Sequence, residues 1–195
     1  MDNQSPPRIT FLKGQKVVLR PVEESDVPRL QLWINDPEVI RGTLQYLPRS
    51  ESHEREWLER LQKDPSAIFL AIETLEGRHI GSTGIFGISW RDRTAHTGMM
   101  IGEKDCWGKG YATDAKMILL NYAFDTMNLR KMCSAALEFN QASVTYNLHC
   151  GYREEGRRRQ QYFRDGRCWD EIIIACFRED WFPIWERYRQ TGRVK

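Results

Sequence analysis

The sequence predicts a mixed α/β fold of the α+β class, with strands and helices alternating along one chain. Three observations predict it. The length, 195 residues, suits one domain with a sizeable core, so 1–195 is read as a single unit. The composition, 41% hydrophobic and 29% charged, is that of a globular protein. Apolar residues recur at helical spacing in some segments and as short strand-like runs in others, with no internal repeat.

The first eight residues carry Pro6 and Pro7 and read as a loose tail. Residues 16–20 alternate and read as a strand. Ser25 is placed to cap a helix that presents Val27, Leu30 and Ile34 on one face, and Asn35-Asp36-Pro37 stops it. A second helix spans about 51–63, with Trp57, Leu58 and Leu61 on one face. Charge pairs Arg55/Glu59 and Glu56/Arg60 are expected on the other. Strands follow at 67–73, 79–88 and 94–101. The clearest helix comes next, with Ala115, Ile118, Leu119, Tyr122 and Ala123 on one stripe. A strand at 131–139 leads into a short helix at 141–149, which Gly151 ends. Two closing strands, 152–163 and 167–177, turn at Asp165-Gly166. A last helix with its tail, 178–195, holds Trp181, Trp185 and Tyr188, which cover either the core or the partner of an expected dimer.

A net charge of +2 argues against a dedicated nucleic-acid binder. The arginines near 153–167 carry that rival reading, but Glu154, Glu155 and Asp165 dilute them. The N-terminus lacks a basic region followed by an apolar run, and the longest apolar run, 172–177, is far too short to span a membrane. Cysteines 106, 133, 150, 168 and 176 are odd in number and form no CxxC pair. A reduced, cytoplasmic protein without a structural metal is therefore expected.

The stretch CWGKGYATDAKMILL, 106–120, places glycines directly before a helix. Such a loop is either a structural turn or an anion site, where free N–H groups of the first turn face a phosphate. A P-loop is excluded, because Gly110 rather than Ser or Thr follows Lys109. The dinucleotide fingerprint is excluded by Thr113 at its third glycine position.

Trp107-Gly108-Lys109-Gly110-Tyr111-Ala112 resembles the pyrophosphate loop of the GNAT N-acetyltransferases, Arg/Gln-x-x-Gly-x-Gly/Ala, matched at Gly110 and Ala112. Trp107 departs from the first place, and a Trp there is similar to the branch that acetylates ribosomal-protein N-termini. Phe139-Asn140-Gln141-Ala142-Ser143, Cys150-Gly151-Tyr152 and the hairpin from Glu155 to Asp170 resemble later family segments. Leu19-Arg20-Pro21 and Trp33-Ile34-Asn35-Asp36-Pro37 resemble its start, so the likeness spans roughly 16–182.

The resemblance implies a twisted mixed central sheet of about seven strands flanked by helices. Its fourth and fifth strands, here 94–102 and 131–139, splay to admit acetyl-CoA. It further implies that the backbones of Met99 and Ile101 pair with the pantetheine arm and that Trp107, Gly108, Lys109, Gly110, Tyr111 and Ala112 wrap the diphosphate. Lys109 either adds charge or points to solvent. Asn140 is expected to bond the far half of the arm.

The implied activity is direct transfer of an acetyl group to a primary amine. His96 stands where the family often has a carboxylate base, and Glu138 is the second candidate. The family's tyrosine acid position falls on Asn147, one residue from Tyr146. Ser143 is read either as the group that reaches the sulfur or as a helix cap. Trp33, Asn35, Arg41, Tyr46, Tyr162 and Phe163 are expected around the acceptor, with Arg164 beside them. The acceptor is expected to be a protein or peptide N-terminus, with small amines such as aminoglycosides, amino sugars or polyamines as the alternative. A CoA-binding protein without turnover is the remaining rival.

Overall fold

Eight strands form one sheet in the computed structural model, which describes residues 9–194. The expected tail, 1–8, lies outside the described residues. The strands are β1 (Leu12–Lys13), β2 (Val17–Pro21), β3 (Ile68–Thr74), β4 (His79–Ser89), β5 (Thr94–Ile101), β6 (Lys131–Leu137), β7 (Arg153–Arg164) and β8 (Arg167–Phe177). Their order is β1-β2-β3-β4-β5-β6-β8-β7. The two-residue β1 raises the expected seven strands to eight. All neighbouring pairs are antiparallel except β5 and β6, which run parallel.

That parallel pair is short. Thr94, Ala95 and His96 meet Lys131, Met132 and Cys133, and the strands then part. β5 continues to Ile101 against β4 alone, and β6 continues to Leu137 against β8 alone. The sheet is thus open between 97–101 and 134–137.

Helices cover both faces. α1 (Val27–Ile34), α2 (Pro37–Ile40) and α3 (Glu51–Gln62) pack Val27, Leu30, Trp33, Val39 and Leu58 on Ala71, with Phe69 and Met100 at the margin. α4 (Tyr111–Asn121), α5 (Gln141–His149) and α6 (Arg178–Thr191) cover the other face, where Ala115, Leu119, Phe124, Ile174 and Trp181 are buried. Trp181 and Tyr188 point into this core, with Trp185 stacked 5.3 Å from Trp181. The aromatic row of α6 is therefore used within the chain.

Several ends differ from the sequence expectation for local reasons. Ser25 does not cap α1; a 3-10 turn at 24–26 precedes it, and Glu23 and Asp26 form a reciprocal capping box. Burial alone would raise the Asp26 carboxyl. Hydrogen bonds from Arg20 and His79 outweigh it and hold the group well below the usual carboxylate range. Asp36 stops α1 and caps α2, accepting from the N–H of Glu38 at 2.9 Å. Arg55 pairs with Glu51 and Glu24 rather than Glu59. β6 ends at Leu137, two residues early, as the chain turns into α5. Asp165 and Gly166, with φ of 52° and 79°, make the expected tight hairpin turn. Among the described residues no helix is long and apolar enough to cross a membrane.

Candidate active site

A cavity of about 1090 Å³ runs through the opening between β5 and β6. That is just above the usual range of small-molecule sites, roughly 300–1,000 Å³. One end is walled by the loop before α4 and the start of α5. The other is walled by α1, α2, α3 and the hairpin residue Tyr162.

The loop end is built from backbone. Gly110 is the N-cap of α4 at φ 83°, a left-handed conformation that glycine adopts without cost. The next residues turn at once into the helix, so the N–H groups of its first turn lack intrahelical partners. Lys16 Nζ donates to the carbonyl of Lys109 at 2.8 Å and puts a cation against the loop. Asp114, in the first turn of α4, accepts N–H bonds from Gln15, Lys16 and Val17 at 3.1, 2.6 and 2.9 Å, and a bond from the Tyr188 hydroxyl. This fixes the loop to β2.

Within β5 the backbone alternates. The carbonyl of Gly98 accepts from Thr83 on β4, whereas that of Thr97 accepts from Ser134 on β6. Met99 and Ile101 share the parity of Thr97, so their backbone groups face the opening. The Ile101 carbonyl is already used: Trp107 Nε1 donates to it at 2.8 Å.

Met99, Ile101, Trp107, Gly108, Gly110, Tyr111, Ala112, Asn140 and Ser143 all line the cavity. The Lys109 side chain does not. Asn140 caps α5, its Oδ1 accepting the N–H of Ser143 at 3.1 Å. Its Nδ2 also donates to the carbonyl of Gly42 at 3.3 Å, across the cavity's side. With Asn140 as the cap, Ser143 is not one. The Ser143 hydroxyl has no hydrogen-bond partner among the described residues.

Of the three proton-transfer candidates read from the sequence, only Ser143 lines the cavity. His96 is exposed, on the face of β5 shared with Met100 and opposite Phe86. Glu138 is half-buried just past the end of β6 and pairs with Arg157 at 3.4 Å. Both stand outside the cavity.

Four of the acceptor candidates also stand outside it. Trp33 is buried against Gly102, whose missing side chain makes room for the indole. Asn35 clamps a loop, donating to Arg49 O at 2.8 Å and accepting from Arg49 N at 2.8 Å. Tyr46 and Phe163 are 72% and 64% exposed. Arg41 and Tyr162 do line the cavity. Arg41 reaches Asp165 at 3.0 Å and lies over the Phe139 ring, linking the α2–α3 loop to the hairpin turn. Arg164, also read near the acceptor, is not among the lining residues and donates to the carbonyl of Phe163.

Three carboxylates line the cavity. Glu38 pairs with Lys104 at 3.0 Å. Glu171 accepts from Arg158 at 2.8 Å and Tyr162 at 3.1 Å. Glu54 on α3 is 6% exposed and has no side-chain hydrogen bond or ion pair among the described residues. Burial raises its carboxyl above the ordinary value, against the weaker pull of Arg49 and His53. The sequence reading missed it, although Glu54, Trp57, Leu58 and Leu61 share one helical stripe. A charge on an apolar stripe was the available signal.

Tyr146 and Asn147 both line the cavity. Burial raises the Tyr146 hydroxyl well above its usual range. Asn147 donates to the carbonyl of Ser143 at 2.9 Å, and its buried Oδ1 has no partner among the described residues. Three of the six hairpin arginines are paired internally: Arg153 with Asp180, Arg157 with Glu154 and Glu138, and Arg158 with Glu171. This offsets part of the charge that would favour a polyanion.

A family model described as "Acetyltransferase (GNAT) domain" matches residues 16–153. The chain is 26% identical over 174 residues to the SPbeta prophage-derived uncharacterized N-acetyltransferase YokL of Bacillus subtilis (strain 168), covering 88% of this chain and 96% of that one. It is 29% identical over 147 residues to the human alpha/beta-tubulin-N-acetyltransferase 9, covering 69% and 71%. The fold is similar to that of spermidine N-acetyltransferase from Vibrio cholerae in complex with CoA and spermine. That match has a TM-score of 0.78 at 22% identity, covering 85% of this chain and 97% of that one.

Proposed function

We propose that this chain, which belongs to the GNAT acetyltransferase family, moves an acetyl group from acetyl-CoA to a primary amine bound between α1–α3 and the hairpin. The observation that carries the reading is the cavity through the β5–β6 opening. It joins a helix N-terminus suited to a diphosphate with a separate wall suited to an acceptor. When bound, acetyl-CoA supplies the activated acetyl carbon. The loop N–H groups of 107–112 and Lys16 fit its diphosphate, and the backbone of Met99 fits an amide of its arm.

The remaining chemistry needs few groups: one to take a proton from the amine and one to support the departing sulfur. Ser143 is positioned for the second task by Asn140, which fixes the start of α5. The acceptor is a single primary amine, at a peptide N-terminus or on a small molecule. The tubulin acetyltransferase supports a protein acceptor. The spermidine enzyme supports the small-molecule class, but a polyamine suits this cavity less, since two of its three carboxylates are already paired.

The test is thermal unfolding with acetyl-CoA, CoA, ATP and NAD added separately. A ligand at about 100 times its dissociation constant stabilises by roughly 2.7 kcal/mol. A shift with acetyl-CoA and CoA alone is expected. No shift with either, or an equal shift with ATP or NAD, would overturn the donor site.

A further inference from the structure

Among the described residues Glu54 is the one cavity carboxylate with no ion pair, Arg49 and His53 acting on it only at a distance, and it is set among apolar side chains. Leu30 and Ile34 of α1, Trp57 of α3, Phe69 of β3 and Phe86 of β4 line the same end of the cavity. Trp57 and Phe69 meet edge to face with centroids 5.0 Å apart, and Phe86 lies 6.3 Å beyond Phe69. A partly desolvated carboxylate that opens onto a cavity and has no ion pair gains from a cation placed there. An ammonium group is such a cation, and the neighbouring rings suit an apolar body rather than a second charge.

Resting on the acetyl-transfer reading above, we infer that the acceptor is a monoamine with an aromatic or branched apolar body, whose ammonium is bound and deprotonated by Glu54. One ammonium proton passes to the Glu54 carboxylate and then to solvent. The nitrogen–carbon bond forms as the carbon–sulfur bond of the thioester breaks. The second proton ends on the leaving sulfur. Arg41 and Asp165 close the rim on the hairpin side without contributing a free carboxylate. A long polycation would therefore meet one anion where it needs several.

The experiment compares 2-phenylethylamine, a short peptide with N-terminal leucine, ethylamine and spermidine as acceptors, with wild type and Glu54→Gln. Turnover is read together with calorimetric binding of the same amines to the CoA-loaded protein. We expect one of the two apolar amines to exceed both ethylamine and spermidine in kcat/KM by at least tenfold. Which one wins tells a small-molecule source from a peptide. Glu54→Gln is expected to lower kcat/KM at least a hundredfold and to weaken amine binding about tenfold, with the acetyl-CoA thermal shift unchanged. Glu54→Asp should recover part of both.

The inference is overturned if Glu54→Gln keeps turnover within threefold, if spermidine is the best acceptor, or if no apolar monoamine binds or reacts although acetyl-CoA still shifts the melting temperature. Loss of the acetyl-CoA shift in wild type would instead overturn the donor reading beneath it. The Gln variant should fold, since it removes a desolvated charge and no internal bond.

Discussion

Lys116 Nζ lies 2.7 Å from Thr97 Oγ1, and the lysine is 0% exposed in the core beneath the cavity. Thr97 in turn meets the Tyr152 hydroxyl at 2.9 Å, and the ammonium stands over the rings of Tyr146 and Tyr152. No carboxylate pairs with it among the described residues. Burial pushes its pKa from 10.5 down to about 8.

This lysine costs stability, and the cost depends on pH. Below pH 8 the ammonium is charged in both states, so the full penalty of roughly 3 kcal/mol applies. Between about 8 and 10.5 the folded protein releases the proton while the unfolded chain keeps it, so stability rises with pH. Lys116→Met is therefore expected to be more stable at pH 7 by about 1–3 kcal/mol, with the gap closing by pH 10.5. Urea unfolding of both proteins at pH 7 and 9.5 checks this. Buried thiols such as Cys150, pushed up to about 12 by burial against the pull of Lys116, titrate the other way in both proteins. A gap independent of pH would refute the assignment.

Asp114 joins α4, β2 and α6 through four hydrogen bonds. Asp114→Ala leaves three backbone donors and the Tyr188 hydroxyl without their acceptor. The expected loss is about 3 kcal/mol or more, read by urea unfolding. A loss under about 1 kcal/mol would mean that water replaces the carboxylate at no cost.

Gly110→Ala forces a side chain into the left-handed region, a cost of about 1–2 kcal/mol, with its Cβ 3.1 Å from Lys16 Nζ. CoA affinity should fall about tenfold by calorimetry, because the strained loop relaxes in the free protein and must be forced back to hold the diphosphate. Lys16→Met should weaken CoA in the same sense, because it removes the cation at the loop. Neither change should alter the acceptor KM, and a selective effect on the acceptor would contradict the division of the cavity.

Ser143→Ala removes a hydroxyl with no internal partner, so the fold should be unaffected. Turnover is expected to fall roughly tenfold, within the usual range for a lost catalytic donor, with CoA affinity within about twofold. Parallel losses in both would make Ser143 a donor-binding residue instead.

Much of the fold was legible because periodicity and turn chemistry agree. The segment 141–149 matches α5 at both ends, since Asn140 caps it and Gly151 follows it. Asp165-Gly166 marks its turn for the same reason. The two residues of β1 carry no alternation and pair only because Leu12 finds Leu19. The loop at 106–112 was legible as a chemical pattern. The acceptor wall was not. Trp33 looks the same in sequence whether it lines a pocket or fills the space left by Gly102. His96 has the right parity in β5, but only the structure shows that the cavity lining on this strand starts at Thr97 and leaves His96 exposed. Glu54 shares a stripe with Trp57 and Leu58, yet a glutamate in a charged helix reads as a solvated one.

The three-pair seam between β5 and β6 has a consequence for anyone engineering this chain. Two more pairs across it would satisfy backbone groups and knit the halves of the sheet, and the protein would melt later. The same change would shut the wedge at 97–101 and 134–137. A screen that rewards heat resistance alone will thus collect inert variants at these positions, so every stabilised clone from this region should be assayed for turnover before it is kept.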